Sequence, residues 1–309
     1  MTRTLTALSR WKARLRPTDR PPVAVEITAA GVVAAAKLST SEIRYAFRSL
    51  PIGAVVASVS QTNVRNSQAV VAALRSALQE VSGAMRSVTL LLPDPAMRVF
   101  SLEFDSLPNS PTDVLAVLRL RLKKVVPFDI EAARISYQVL VRTGDTCRAL
   151  AVAVPKNVLD EYEAVVRDAG YLPGAVLPSA LSALAALNSD APILSAYLSG
   201  VSLTTSITTG NDILLYRTHE LPECPNERAT EMQRDIAVAL AYFEDELKAL
   251  PDCVHYAGDL AADEFGRSVL AQPIPIREYG PQQRTSDSAL PVDSNPVGLI
   301  GALARVRFA

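Results

Sequence analysis

Two histidines, His219 and His255, and three cysteines, Cys147, Cys224 and Cys253, are the chain's whole supply of imidazole and thiol. A zinc set could be drawn from His219 and Cys224 together with Cys253 and His255, but H-x4-C followed by C-x-H is not a structural zinc spacing. His219 and Cys224 flank a Leu-Pro turn. Cys253 and His255 stand two apart in a predicted strand, where alternate residues share a face. They read as ordinary packed or surface residues, and no metal is expected. No G-x-S-x-G elbow accompanies the histidines, so a Ser-His-Asp hydrolase has no support. The cysteines are odd in number, widely spaced and without a C-x-x-C, a pattern that fits a reducing compartment and argues against redox chemistry. The basic run "RLRLKK", Arg119 to Lys124, could touch phosphate. Without interleaved aromatics it reads as a solvated helix face and not as a nucleic-acid platform.

Such side chains need elements to hold them, and the composition supplies the material. In 309 residues, 49% hydrophobic and 20% charged, there is enough apolar surface for one large domain or two ordinary ones. A net charge of −1 and a pI near 6.2 exert no global pull toward nucleic acid or acidic membrane, so any such contact must be local. The first 22 residues carry Arg3, Arg10, Lys12, Arg14, Arg16 and Arg20 without the apolar core of a secretory signal. Within them Leu5, Leu8, Trp11 and Leu15 fall on one helical face beside a basic rim. That is the pattern of a small interfacial helix directed at an anionic membrane surface, with a merely solvated leader as the other reading. The nearly uncharged stretch 169–211 is broken by Pro173, Pro178, Asp190 and Pro192, and reads as buried strands and a core helix, not a membrane span.

A duplicated layout organises the remainder. "VAVEI", "VVAAAKL" and "IRYAFRSL" form a strand–turn–strand–turn–strand pattern ending at Leu50-Pro51. "ILSAYL", "LTTSIT" and "ILLYRTHEL" form the same pattern ending at Leu221-Pro222. Glu26 to Tyr45 is 19 residues and Leu198 to Tyr216 is 18. Each copy continues through a helix-period segment into a short strand: "SQAVVAALRSALQEV" then "SVTLLLPD", and "EMQRDIAVALAYFEDEL" then "CVHYAGD". The order βββ-α-β therefore occurs twice, which is the plan of the α/β, two-domain actin, Hsp70 and sugar-kinase superfamily, with a cleft between the halves. The expected division is a basic leader over 1–22, a first half over 23–190 and a second half over 191–309. The first half contains an inserted subdomain at about 105–153, and the second ends in a closing helix.

The insertion opens with "SPTD", where Ser110 can cap, Pro111 takes the first helical position and Asp113 completes a capping-box-like pattern. Leu115, Leu118, Leu122 and Val125 recur at helical spacing and are expected to pack down, with Arg121, Lys123 and Lys124 pointing elsewhere. Pro127 biases Val126 out of helical geometry and so ends the helix before the strand "ARISYQVLV".

The stretch "LRLRLKKVVPFDIEAARISYQVL" resembles the helix, Pro-Phe turn and strand of the type IV pilus assembly protein PilM family. "AVAVPKNVLDEYEAVVRDAGYLPGAVLPSALSALAAL", the helix "EMQRDIAVALAYFEDEL" and the tail "NPVGLIGALARVRF" are similar to segments that follow in that family, so the resemblance spans about Val23 to Arg307. It implies an actin-like fold and a cytoplasmic place at the inner face of the inner membrane. It also implies a scaffold role, binding the N-terminal cytoplasmic tail of a PilN-like single-span membrane protein, with Pro127 and Phe128 of the inserted subdomain at the binding surface. A related type II secretion platform is the neighbouring reading.

Members of this family that bind ATP open with a strand and an Asp-x-Gly turn, in which glycine lets backbone N–H groups approach phosphate and the carboxylate organises metal and water. The matching residues here are Glu26, Ile27 and Thr28: the acid is one methylene longer and the glycine is replaced by a β-branched residue. At the second phosphate turn stand Leu198, Ser199 and Gly200, without the acid. At the adenosine end "YAGD" keeps Gly258 but has Asp259 where a second glycine is usual. The resemblance thus implies a pseudo-ATPase with a degenerate cleft, no catalytic residues and no cofactor. An active ATPase or kinase of the superfamily is the alternative.

Overall fold

The computed structural model describes residues 20–38, 42–143, 146–187, 189–269, 274–280 and 295–304. Two five-stranded sheets carry one ladder each, and the ladders match. In the first, the order is β3 (Ile43–Ser49), β2 (Gly31–Lys37), β1 (Val23–Ile27), β4 (Ser87–Leu92) and β8 (Leu172–Pro178). In the second it is β11 (Asp212–Glu220), β10 (Ser202–Thr209), β9 (Ile193–Ser199), β12 (Val254–Gly258) and β13 (Ile276–Glu278). In both, the three meander strands pair antiparallel and the next two strands join in parallel. Parallel pairing needs a crossover, which helices α1 (Ser67–Ser82) and α5 (Pro225–Leu247) provide at equivalent points. This is the actin-like architecture.

The central strands have both faces covered, which is why they read as nearly unbroken apolar runs and not as alternating ones. All of β1 is buried. One face packs on α1 and α3 (Lys156–Asp168) through Val25, Ile27, Leu74, Leu78, Val158 and Tyr162. The opposite face, Ala24, Val33, Ala35 and Leu91, takes Leu299, Ala302 and Leu303 of the final helix α7 (Val297–Leu303). Thus α7 follows the second half in sequence yet docks on the first. It lies so close to α4 (Ser179–Leu184) that a Cβ at Gly301 would stand 1.7 Å from the Ser182 carbonyl oxygen. Helix α6 (Ala262–Val269) closes the second core through Phe265, whose ring stacks on Tyr256 with centroids 4.0 Å apart.

The third sheet, β5-β7-β6, is formed by Arg98–Phe104, Thr146–Pro155 and Ala133–Thr143. Strand β5 was not expected from the sequence: it begins seven residues before Asp105, and its residues Val99, Phe100, Leu102 and Phe104 are only partly buried, so no clean alternation marks it. The sheet is covered on one face by α2 (Pro111–Leu122) and pinned to β11 on the other. Arg98 pairs with Glu220 at 2.9 Å, Ser101 Oγ donates to the Ile213 carbonyl at 2.8 Å, and Arg148 bridges Glu103 and Asp212.

Two details of α2 differ from the sequence reading. Pro111 does take the first position, but the Ser110 side chain makes no capping hydrogen bond. The seam that packs down is Val114, Leu118 and Leu122; Leu115 is half-buried and Val125 is 57% exposed. The helix ends at Leu122, and the N–H groups of Val125 and Val126 both turn back to its carbonyl. Pro127 disfavours helical geometry at Val126, and the unwinding extends one turn upstream, carrying Val125 off the seam.

Candidate functional site

The three turns that would face a nucleotide's phosphates and adenosine lie at the ends of β1, β9 and β12. Each is satisfied by the protein's own groups. In the β1–β2 turn the Thr28 N–H donates to the Gly31 carbonyl at 2.9 Å, and Thr28 Oγ1 both donates to that carbonyl at 3.1 Å and accepts the Gly31 N–H at 3.3 Å. Two of the turn's N–H groups, those of Thr28 and Gly31, are thereby tied within the turn.

At the β9–β10 turn Gly200 adopts φ +53°, a left-handed conformation that favours glycine. Its N–H donates to the Asp259 carboxylate, and its carbonyl accepts from the Arg228 guanidinium. Ser202 Oγ donates to the Ser199 carbonyl at 3.1 Å. Asp259 thus occupies the backbone donor of the β9–β10 turn, which the isolated residue types did not disclose. Leu198, at the position of the second acid, is fully buried, and its Cβ lies 2.7 Å from where a Cβ on Gly258 would stand. Gly258 is therefore required by packing against Leu198 and Tyr256.

Glu26 is buried at 3% exposure, with Ile27 beside it at 0%. Burial pushes its carboxyl up from 4.5 to about 7; a hydrogen bond with Ser179 opposes this, and the charges of Asp94 and Asp259 add to it. Asp94, which follows β4, is held the same way: burial raises it to about 6 even though its oxygens accept the Ala180 N–H and the Tyr216 hydroxyl, each at 3.1 Å. Tyr216 and Tyr279 flank this pair, both raised chiefly by burial. The floor of the cleft is accordingly a dry cluster of acids and phenols in which Glu26 holds its proton to near neutrality.

Asp94, Ser179, Tyr216 and Arg228 were not singled out from the sequence. The available signal was Asp94 in "LLLPD", a carboxylate ending an entirely apolar strand; the other three become site residues only by folding. A recess of about 180 Å³ lies beside this cluster, between Met97–Phe100 and Tyr216–Thr218, and is below the roughly 300 Å³ at which small-molecule sites begin.

The remaining sequence candidates are dispersed. His219 Nδ1 lies 2.7 Å from Asp235, while Cys253 Sγ lies 3.4 Å from His255 Nε2, and Cys224 is exposed at the start of α5. Among the described residues no three His, Cys, Asp or Glu side chains are placed to hold a metal. Phe128 packs partly into the core beneath α2, whereas Pro127 is exposed beside it. Leu5, Leu8, Trp11 and Leu15 lie outside the described residues. Among the described residues no helix is long and apolar enough to cross a membrane.

No family model matches the chain, and no curated protein matches it. Solved structures do. The chain is similar to a protein in a PilM-PilN type IV pilus biogenesis complex, with a TM-score of 0.73, 14% identity, and 92% of this chain and 98% of that one covered. It is also similar to the cytoplasmic domain of EpsL, an inner membrane component of the type II secretion system of Vibrio cholerae (TM-score 0.49, 16% identity, 76% and 80% covered). A further match is the ethanolamine utilization protein EutJ from Carboxydothermus hydrogenoformans (TM-score 0.49, 10% identity, 93% and 91% covered). The resemblance read from the α2, α3 and α5 segments therefore extends to a shared fold over nearly the whole length of the PilM-PilN match.

Proposed function

We propose that this protein is a non-hydrolysing scaffold of a type IV pilus or related secretion platform, peripheral to the inner face of the inner membrane. In this reading it binds the extended cytoplasmic tail of a PilN-like single-span protein and has lost nucleotide chemistry. The observation that carries the proposal is the Asp259 carboxylate on the Gly200 N–H, in a chain whose fold follows that of the PilM-PilN match. A phosphate binder keeps such donors open for its ligand. Here an internal anion fills one, Thr28 closes another, and Leu198 removes a carboxylate on which phosphoryl transfer depends. An active ATPase or kinase of this fold would need all three reversed.

The tail is placed at the inserted subdomain, next to Pro127 and Phe128. An extended peptide there would gain backbone hydrogen bonds and an apolar anchor. The third sheet is suited to both: among the described residues β6 pairs with β7 alone, and Phe128 leads into it. Calorimetry tests the reading with a synthetic peptide carrying an Asn-Leu-Leu-Pro-like tail and, separately, with Mg-ATP. Peptide binding that weakens in Phe128→Ala, with stability measured in parallel, and no heat from Mg-ATP are expected. Micromolar Mg-ATP affinity overturns the pseudo-ATPase reading; unchanged peptide affinity and stability in variants of both Pro127 and Phe128 overturns the location.

A further inference from the structure

The end of α2 shows an arrangement that a solvated basic face does not need. Leu118 and Leu122 are fully buried against the third sheet, but Leu120 between them is 70% exposed, because two residues on a helix turn the side chain by about 200°. Val125, one turn further, is 57% exposed, and Pro127 beside it is exposed as well. Leu120 and Val125 are thus two large apolar side chains left exposed at the end of α2.

Around these tips stand Arg121, Lys123 and Lys124, all exposed. Their neighbour Arg119 turns inward, donating to the Ile130 carbonyl at 2.6 Å and lying 3.9 Å from Glu131. By contrast, among the described residues the side chains of Arg121, Lys123 and Lys124 have neither an ion-pair nor a hydrogen-bond partner. The nearby acid Asp129 has an oxygen accepting the Glu131 N–H. The sequence thus places three uncompensated cations next to two exposed apolar side chains at one end of α2.

We infer that this end, Leu120 to Val125, is a contact surface for an anionic lipid bilayer, with Leu120 and Val125 entering the interface and Arg121, Lys123 and Lys124 meeting lipid phosphates. Exposed apolar side chains among unpaired cations match an interface that is apolar beneath and negative above. The surface is separate from the proposed tail anchor, since Phe128 turns into the core under α2 while Leu120 and Val125 turn away from it.

The test is hydrogen–deuterium exchange and co-sedimentation of the full chain with phosphatidylcholine vesicles, with and without phosphatidylglycerol, at low salt. Residues 119–127 gain protection only with the anionic vesicles. The triple variant Arg121→Gln, Lys123→Gln, Lys124→Gln loses that protection and about a hundredfold in partitioning through these residues. Leu120→Ser with Val125→Ser, which alters exposed positions only, loses the protection while keeping its melting temperature. Exchange reports this site separately from residues 1–16, and vesicles free of any partner protein make the outcome independent of tail binding. Protection confined to residues 1–16, or protection of 119–127 by a polyglutamate peptide in place of vesicles, overturns the inference; the second result would make the surface a site for acidic protein.

Discussion

Replacing Glu26 by glutamine should make the protein more stable at alkaline pH and leave it nearly unchanged in acid. In the unfolded chain this carboxyl ionises near its ordinary 4.5; in the fold, burial holds it protonated up to about 7. Between those values the unfolded state has released a proton that the native state retains, so stability falls as pH rises, by about 1.4 kcal/mol per pH unit. The cost is about 1 kcal/mol at pH ~5 and levels off at about 3 kcal/mol above pH ~7, once the native carboxylate has also ionised. Glutamine is isosteric, keeps a polar partner for Ser179 and carries no charge. Urea unfolding of wild type and Glu26→Gln across pH ~5 to ~8 should therefore show the variant's advantage growing by about 2 kcal/mol, as the linkage relation requires. Asp94 titrates in both proteins and largely cancels in the comparison. A stability difference that is flat with pH would refute the argument, because it would mean that Glu26 ionises in the fold as it does in water. Mg²⁺ offers a second check: an ion bound by ionised Glu26 would raise stability with its concentration, and no rise is expected.

Other consequences follow from the same geometry. Asp259→Ala should cost about 1 kcal/mol, the usual worth of a hydrogen bond, and should not confer Mg-ATP binding by calorimetry, because Leu198 and the closed Thr28 turn remain. Micromolar affinity in that variant would show that Asp259 alone blocks the cleft. Gly301→Ala drives a methyl group into the Ser182 carbonyl, so denaturation should reveal a loss of about 3 kcal/mol or more as α7 is forced off α4; a variant as stable as wild type would contradict the packing. A chain beginning at Pro21 should pellet less than the full chain with anionic vesicles at low salt, if the leader's Leu5, Leu8, Trp11 and Leu15 add their own weak attraction, and the difference should fade as salt rises.

Much of the architecture was legible in the residues. The repeated meander could be read because β1 and β9 must be apolar on both faces to sit mid-sheet, and because Leu50-Pro51 and Leu221-Pro222 end equivalent strands. The resemblance set Thr28 against a glycine and Leu198 against an acid, and from there the residue types alone gave the expectation of a degenerate cleft. The strand β5 was hidden because its partners, Cys147 to Ala153, lie some fifty residues away and its own residues are half-covered on both sides. Ser110 has the composition of a cap but makes no capping bond, and periodicity chose Leu115 and Val125 where the fold buries Val114 and exposes Val125. A helical pattern fixes spacing, but the direction of the buried face is set by what the helix packs against.

By itself, the sequence determined that this chain forms two copies of one α/β unit, and it showed which residue types stand in the turns after β1, β9 and β12. Only the tertiary structure decided what those turns do. It carried Asp259 to the Gly200 N–H across 59 residues of chain and brought Arg228 to the Gly200 carbonyl. It also enclosed Glu26 with Asp94 away from water and turned Leu120 outward among unpaired cations. Each of these is a matter of which groups are desolvated together. Charge, proton affinity and hydrogen-bond satisfaction depend on neighbours in space, and a linear order of residues specifies those neighbours only through the completed fold.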